Sequence, residues 1–236
     1  IVNDTIYGGT KNDTIYGNSG DDTIFSSAGD DIIYGGDGRD TLDYSEIDNV
    51  NNIGINANLV TGIVTGDGTD TISNIENIIG TSNYSDILKG NSDKNIINGL
   101  GGHDTIYGIG GENTLYGGTG VDVIYAATTK TGTERGDVVF GGQGIDTLIG
   151  SFHKDFLIGG EQNGYDVETD WIDYSNIVLG TNDYGISVNL QQTINFITDN
   201  TDRTYLNGNY SQVFRLDANG TNTLNFDYIS QIENIT

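Results

Sequence analysis

Aspartate returns every nine residues near the start of the chain. Asp4, Asp13, Asp22, Asp31 and Asp40 keep that register, and Ile6, Ile15, Ile24, Ile33 and Leu42 each follow two positions later. The six residues ending in each Asp are glycine-rich: GNSGDD, SSAGDD, GGDGRD. Consecutive glycines permit positive φ and a tight reversal. Asp at the end of such a turn offers a hard anionic oxygen, and the exposed carbonyls of the turn offer neutral ones. Calcium takes six to eight oxygens in flexible geometry. An array of such turns is therefore a candidate calcium array, in which the ions neutralise carboxylates stacked close together.

The residues after each Asp are apolar only at the centre, as in a half-buried strand. A second block repeats the rhythm. Asp86, Asn95, Asp104, Asn113 and Asp122 are nine apart, with Leu88, Ile97, Ile106, Leu115 and Ile124 inside. Fifteen residues separate Asp122 from Asp137, so 126–136 enlarge one turn; Asp137, Asp146 and Asp155 then continue. A second enlarged turn, 156–169, leads to Asp170. If one unit lies on each side of a roll, neighbours on one side are eighteen apart. Asp4, Asp22 and Asp40 then share an edge opposite Asp13 and Asp31. Asp86, Asp104 and Asp122 share an edge opposite Asn95 and Asn113. Asn is neutral and a weaker ligand than a carboxylate, so the Asn edge is expected to fill last.

These units resemble the RTX family, whose nonapeptide G-G-x-G-x-D-x-U-x builds a calcium-bound parallel β-roll. Three turns meet the pattern in full: GGDGRD (35–40), GGTGVD (117–122) and GGQGID (141–146). The resemblance implies that turn carbonyls join the carboxylates. These would be Gly35, Gly36 and Gly38, then Gly117, Gly118 and Gly120, then Gly141, Gly142 and Gly144. It also implies a non-enzymatic module of a protein exported by a bacterial type I secretion system. Such a module stays unfolded where calcium is scarce and folds on several calcium ions outside, stiffening the parent. The parent is an adhesin, a surface-layer protein or a toxin, or else an exported protease, lipase or epimerase with catalysis elsewhere in the chain.

Composition agrees. The 236 residues carry 34 Asp+Glu against 9 Lys+Arg, a net charge of −25. That excludes nucleic acid and anionic membrane as direct partners and opposes folding unless cations bind. There is no Cys, so no disulfide staples the chain. No apolar run is long enough for a membrane helix. The chain opens mid-repeat without a signal peptide and reads as a fragment of a longer protein.

The expected fold is all-β: a parallel β-roll, continuous or in two tandem parts, with non-repeat strand segments as caps or spacers. The first repeat block is 1–43 and the second is 81–172. Between them, 44–80 breaks the period, and Ile53, Ile55, Ala57 and Leu59 alternate there with polar residues. The tail, 173–236, is a longer copy of that interruption: WIDYSNI matches TLDYSEI, GISVNL matches GINANL, and DYISQIENI matches DTISNIENI. The core is thin, one aliphatic residue per unit, so apolar burial alone is not expected to fold the chain.

Other features have plainer readings. Tyr7, Tyr16, Phe25, Tyr34, Tyr107, Tyr116, Tyr125 and Phe140 lie one position past the core residue and should point outward. They could bind a sugar or a host surface, but ladder stacking explains them better. An outward threonine row (Thr5, Thr14, Thr23, Thr41, Thr105, Thr114) fits β propensity better than ice binding. His103 and His153 lie in turns without a Cys or Ser partner, so neither zinc nor general-base chemistry is expected. Lys154 and His153 make the turn before Asp155 a poor match to the pattern.

Overall fold

The computed structural model describes residues 2–26, 28–47, 53–126, 136–151 and 155–160, and the backbone of six short strands between 171 and 235. Every regular element among them is a β-strand. The first repeat block holds β1 (Thr5–Tyr7), β2 (Thr14–Ser19), β3 (Thr23–Phe25), β4 (Ile32–Asp37) and β5 (Thr41–Asp43). The interruption holds β6 (Asn56–Asn58), β7 (Ile63–Thr65), β8 (Thr69–Ser73) and β9 (Asn77–Ile79). Then come β10 (Ile87–Lys89), β11 (Ile96–Asn98), β12 (Gly101–Gly102), β13 (Thr105–Tyr107), β14 (Thr114–Gly120) and β15 (Val123–Tyr125). Next are β16 (Val138–Gln143), β17 (Thr147–Ile149) and β18 (Phe156–Ile158). The tail contributes β19 (Trp171–Asp173), β20 (Ser187–Leu190), β21 (Thr204–Tyr205), β22 (Ser211–Arg215), β23 (Tyr228–Ser230) and β24 (Asn234–Ile235).

Successive units alternate between two parallel sheets. The first runs β1-β3-β5-β9-β11-β14-β16-β18-β23, and the second runs β2-β4-β8-β7-β6-β10-β13-β15-β17-β19-β24. Each pairing joins units one full turn apart: Ile6 faces Ile24, Ile24 faces Leu42, Ile15 faces Ile33, and Ile106 faces Ile124. This is a parallel β-roll. Both sheets pass through both repeat blocks, so the roll is continuous across the interruption.

The strands are only three residues long at their shared core because each unit has one inward position. Ile24, Ile33, Leu42, Ile78, Leu88, Ile97, Ile106, Leu115, Ile124, Val139, Leu148 and Leu157 form that column and are fully buried. The flanking residues face out, as period-two alternation requires. Outward aromatics stack on the equivalent ring one turn away: Tyr7 on Phe25, Tyr16 on Tyr34, Tyr107 on Tyr125 and Tyr116 on Phe140, all with centroids within 5.0 Å. Phe140 departs from the expected exposure and is only 6% exposed. Tyr116 covers one face of its ring, and Ile158 sits beside it on the neighbouring strand.

The interruption is built into the roll. β9 takes an ordinary place between β5 and β11 in the first sheet. In the second sheet β8, β7 and β6 form an antiparallel meander between β4 and β10. Three strands stand there where one would continue the pattern. Tyr44, in the same segment, is buried and donates its hydroxyl to Asp70 Oδ2 at 3.0 Å.

Candidate metal centres

The turns stack along two edges of the roll. One edge carries Asp4, Asp22 and Asp40, then Glu76, Asn95, Asn113, Asp137 and Asp155. The other carries Asp13, Asp31 and Asp70, then Asp86, Asp104, Asp122 and Asp146. A hydrogen-bond relay fixes these carboxylates. The backbone N–H of each acidic position donates to Oδ1 of its equivalent one turn on: Asp4 to Asp22 at 2.7 Å, Asp22 to Asp40 at 2.9 Å, and Asp13 to Asp31 at 2.9 Å. Asp86 donates to Asp104 and Asp104 to Asp122, both at 2.8 Å, and Asp122 to Asp146 at 2.9 Å. Along the Asn edge, Asn113 donates to Asp137 and Asp137 to Asp155.

The relay uses one oxygen of each carboxylate. The other, Oδ2 of Asp22, Asp31, Asp40, Asp104 and Asp122, is buried with no hydrogen-bond partner. These side chains are at most 1% exposed. A buried anionic oxygen without a partner is costly, and such groups in native proteins are paired or coordinate metal. Burial accordingly raises the Asp31 and Asp40 carboxyls above the ordinary value of 3.8. Asp104 is pushed up to about 8 by burial, helped by the charges of Asp122 and Asp86. Burial takes Asp122 to about 6, against the Asp104 N–H and the nearby His103, which both pull it down.

Four of these Oδ2 atoms, those of Asp22, Asp40, Asp104 and Asp122, face a space that no side chain fills; in the Asp31 turn Ser26 stands at the equivalent position. A Cβ on Gly17, Gly35 or Gly117 would lie 2.5 Å from Oδ2 of Asp22, Asp40 or Asp122 respectively. Gly99 and Asp104 form the same cradle. A carbonyl from the following turn enters the same space: Gly35 O above Asp22, Gly117 O above Asp104, and Gly141 O above Asp122. The second and fourth glycines serve a different need. Gly36, Gly118 and Gly142 have φ from 110 to 125°, and Gly38, Gly120 and Gly144 from 127 to 150°. At each of these six, a Cβ would collide with a backbone carbonyl of the preceding turn. They let the turns stack at strand spacing.

A family model described as the RTX calcium-binding nonapeptide repeat (4 copies) matches residues 2–32, 22–46, 81–112, 107–127 and 131–165. These matches span more than half of the chain. The chain belongs to the RTX calcium-binding repeat family. Among solved structures it is similar to the extracellular lipase LipA from Serratia marcescens, with 18% identity and a TM-score of 0.27. That similarity covers 95% of this chain and 38% of the lipase chain. No curated protein matches. RTX repeats bind calcium, and the donor set fits that ion: hard oxygens only, carboxylate and carbonyl together.

Not every RTX turn here has a free oxygen. Asp86 Oδ2 accepts the Thr81 N–H at 2.7 Å, and the Thr81 hydroxyl lies 3.1 and 3.2 Å from its two oxygens. Its carboxyl sits at about 6, raised by burial but held down by the Ile55 and Thr81 donors. Asp155 Oδ2 accepts the Ser151 N–H at 2.6 Å. Asp70 Oδ2 receives Ser26 and Tyr44 hydroxyls. Asn113 goes further. Its Oδ1 keeps the relay, and its Nδ2 donates to Gly108 O at 3.1 Å and Gly110 O at 2.8 Å. Asn95 Nδ2 donates to Glu76 O and Asn91 Oδ1. In these turns the side-chain amide engages the carbonyls that a cation would otherwise attract.

Asn113→Asp should therefore destabilise the calcium-free chain and add a calcium. Two amide donors disappear, and a carboxylate oxygen is set against turn carbonyls. The loss in chelator should be about 1–3 kcal/mol, read from melting curves, and equilibrium dialysis should count one more ion. An unchanged melting curve in chelator would show that the amide does not close this turn.

A second polar ladder escaped the sequence reading. The residue just before each Asp accepts an N–H from the same position one turn on. Asn3 Oδ1 takes Asp21 N–H, Asp21 Oδ1 takes Arg39, Asn12 Oδ1 takes Asp30, and Asp30 Oδ1 takes Thr69. Ser85 Oγ takes His103 N–H, and His103 Nδ1 takes Val121 N–H at 2.8 Å. His103 is thus a rung of this ladder. The signal was present as acceptor-bearing residues at 3, 12, 21 and 30, in step with the Asp. The turn at Phe152, His153 and Lys154, most of the two enlarged turns, and Asp170 lie outside the described residues.

Proposed function

We propose that the chain is a calcium-triggered folding module of a secreted or cell-surface protein, carrying no catalytic site of its own. One observation carries the reading: buried Oδ2 atoms of Asp22, Asp31, Asp40, Asp104 and Asp122 without a protein partner, four of them at cradles entered by a backbone carbonyl. The assigned calcium ligands are these carboxylates and Asp146, with the first-glycine carbonyls of the following turns, Gly35, Gly117 and Gly141 among them. Asp86, Asn95, Asn113 and Asp155 hold their turns through protein donors. Asp4 and Asp13 chiefly feed the relay.

RTX proteins are typically exported by type I systems. Extracellular modules bind calcium at roughly 10⁻⁴–10⁻³ M. Below that range the acidic chain stays open enough to pass a secretion channel. Above it the ions cancel carboxylate repulsion, and the roll closes and stiffens its parent chain. The partners are calcium, the rest of the parent and the secretion machinery.

The test is calorimetric titration of calcium into the metal-stripped chain at neutral pH, followed in parallel by far-UV circular dichroism. Several ions should bind with a shift from coil to β. Magnesium should act poorly because it demands tighter octahedral geometry. No binding at 10 mM calcium, on the order of ten times the weakest extracellular affinity, would overturn the proposal.

A further inference from the structure

The seam between the first repeat block and the interruption holds a cradle that no nonapeptide turn completes. Asp40 ends the full-consensus turn GGDGRD and is 0% exposed, and its Oδ2 has no partner. The following turn on that edge comes from non-repeat sequence. It is only three residues long, Asn74-Ile75-Glu76, between β8 and β9. Yet it reproduces both working parts of a repeat turn. Ser73 pairs with Tyr34, so Asn74 stands where the first glycine, Gly35, stands one turn before. Asn74 has φ 52°, a left-handed conformation that Asn tolerates. Its carbonyl enters the space beside Gly35, where a Cβ would also meet Asp40 Oδ2 at 2.5 Å. Glu76 takes the part of the next Asp: its Oε2 accepts the Asp40 N–H at 2.8 Å. The Glu76 and Asn77 N–H groups in turn donate to Asp40 O at 3.1 and 2.9 Å.

We infer that the interruption supplies half of a calcium site, with Asp40 Oδ2 and the Asn74 carbonyl as ligands and Glu76 as the carboxylate that orients Asp40. The inference rests on the calcium reading of the repeats and extends it to residues outside them. An ion there bonds the first block to the interruption directly. It makes the order of β8 and β9 depend on calcium, although their own sequence carries no nonapeptide turn. Arg39 ties the same seam on its outer side, donating to Asn77 Oδ1 at 3.4 Å and to Lys94 O at 3.1 Å.

Crystals of the full chain grown with calcium, recorded at a wavelength where calcium scatters anomalously, should show a peak bonded to Asp40 Oδ2 and the Asn74 carbonyl. In solution, Asp40→Asn should bind one ion fewer than the wild-type chain by equilibrium dialysis. Asn74→Val, a β-branched residue forced to positive φ, should also lose one. Peaks at Asp104 and Asp122 with none at Asp40 overturn the seam site and leave the repeat reading standing. No calcium at any turn overturns both. If either variant fails to fold, the wild-type map decides alone.

Discussion

In chelator at neutral pH the chain should have no stable roll, and acidifying it toward pH 4 should restore part of one. Asp104 and Asp122, pushed up to about 8 and about 6, and the raised Asp31 and Asp40 set the direction. In the unfolded chain these groups titrate near the ordinary 3.8. Between roughly pH 4 and pH 8 the folded state therefore binds more protons than the unfolded state. Stability must fall as pH rises through that window, and near pH 4 it is at its best. Calcium reverses the slope, because it takes the place of the protons and binds more tightly as they leave. The effect is large. One ion present at a hundred times its dissociation constant adds about 2.7 kcal/mol. Four or five such ions together exceed about 10 kcal/mol, the scale of a whole domain's stability. Melting curves at pH 4, 6 and 8, in chelator and in calcium, should slope in opposite senses. A metal-free chain as stable at pH 8 as at pH 4 would contradict the assignment of the buried carboxylates.

Gly120→Ala should unfold the roll even in calcium, whereas Gly99→Ala should leave it folded with one ion fewer. Gly120 has φ 145°, and an added Cβ would overlap the Gly102 carbonyl of the turn beneath. Neither backbone can give way, because each is fixed on both sides by the stack. Conformational strain alone costs about 1–3 kcal/mol. The steric clash adds to it, and the loss spreads along an edge whose turns hold one another. Gly99 is different. Its Cβ would enter the cradle, 2.6 Å from Gly117 O and against the Asp104 carboxylate. The backbone is unstrained there, and the methyl occupies the space assigned to the ion. Circular dichroism separates the two outcomes, and dialysis counts the calcium. A folded Gly99→Ala chain with the full number of ions would show that the cradle is not where calcium sits.

Much of this was legible because a roll writes its geometry into one period. The nine-residue step places Ile24 and Ile33 on opposite sheets, and the eighteen-residue step places Asp22 above Asp4. Both follow from counting. The interruption was harder, because its residues act through backbone geometry. Asn74 substitutes for a glycine by adopting positive φ, and Glu76 substitutes for Asp by its longer reach. Neither matches a nonapeptide pattern. Asn95 and Asn113 could be read as weaker ligands, but not as amides that close their turns, Asn95 through Glu76 O and Asn91 Oδ1 and Asn113 through Gly108 O and Gly110 O. Tyr44 looked like part of a repeated motif, and only the fold brings its hydroxyl to Asp70. Whether the roll was one body or two depended on the pairing of β9 with both β5 and β11, which no spacing reveals.

The meander of β8, β7 and β6 also acts as an electrostatic break. Asp70 and Asp86 are successive acidic positions on their edge, yet their strands stand three places apart in the second sheet. At about 4.8 Å per strand that is roughly 14 Å, which cuts their direct repulsion to about a third of that between neighbouring turns. Carboxylates within either block lie a single strand spacing apart and cannot ignore one another. On the opposite edge the neutral Asn95 and Asn113 thin the row in the same way. A long acidic array is thereby divided into short ones, and each can take up its ions without waiting for the other to be neutralised.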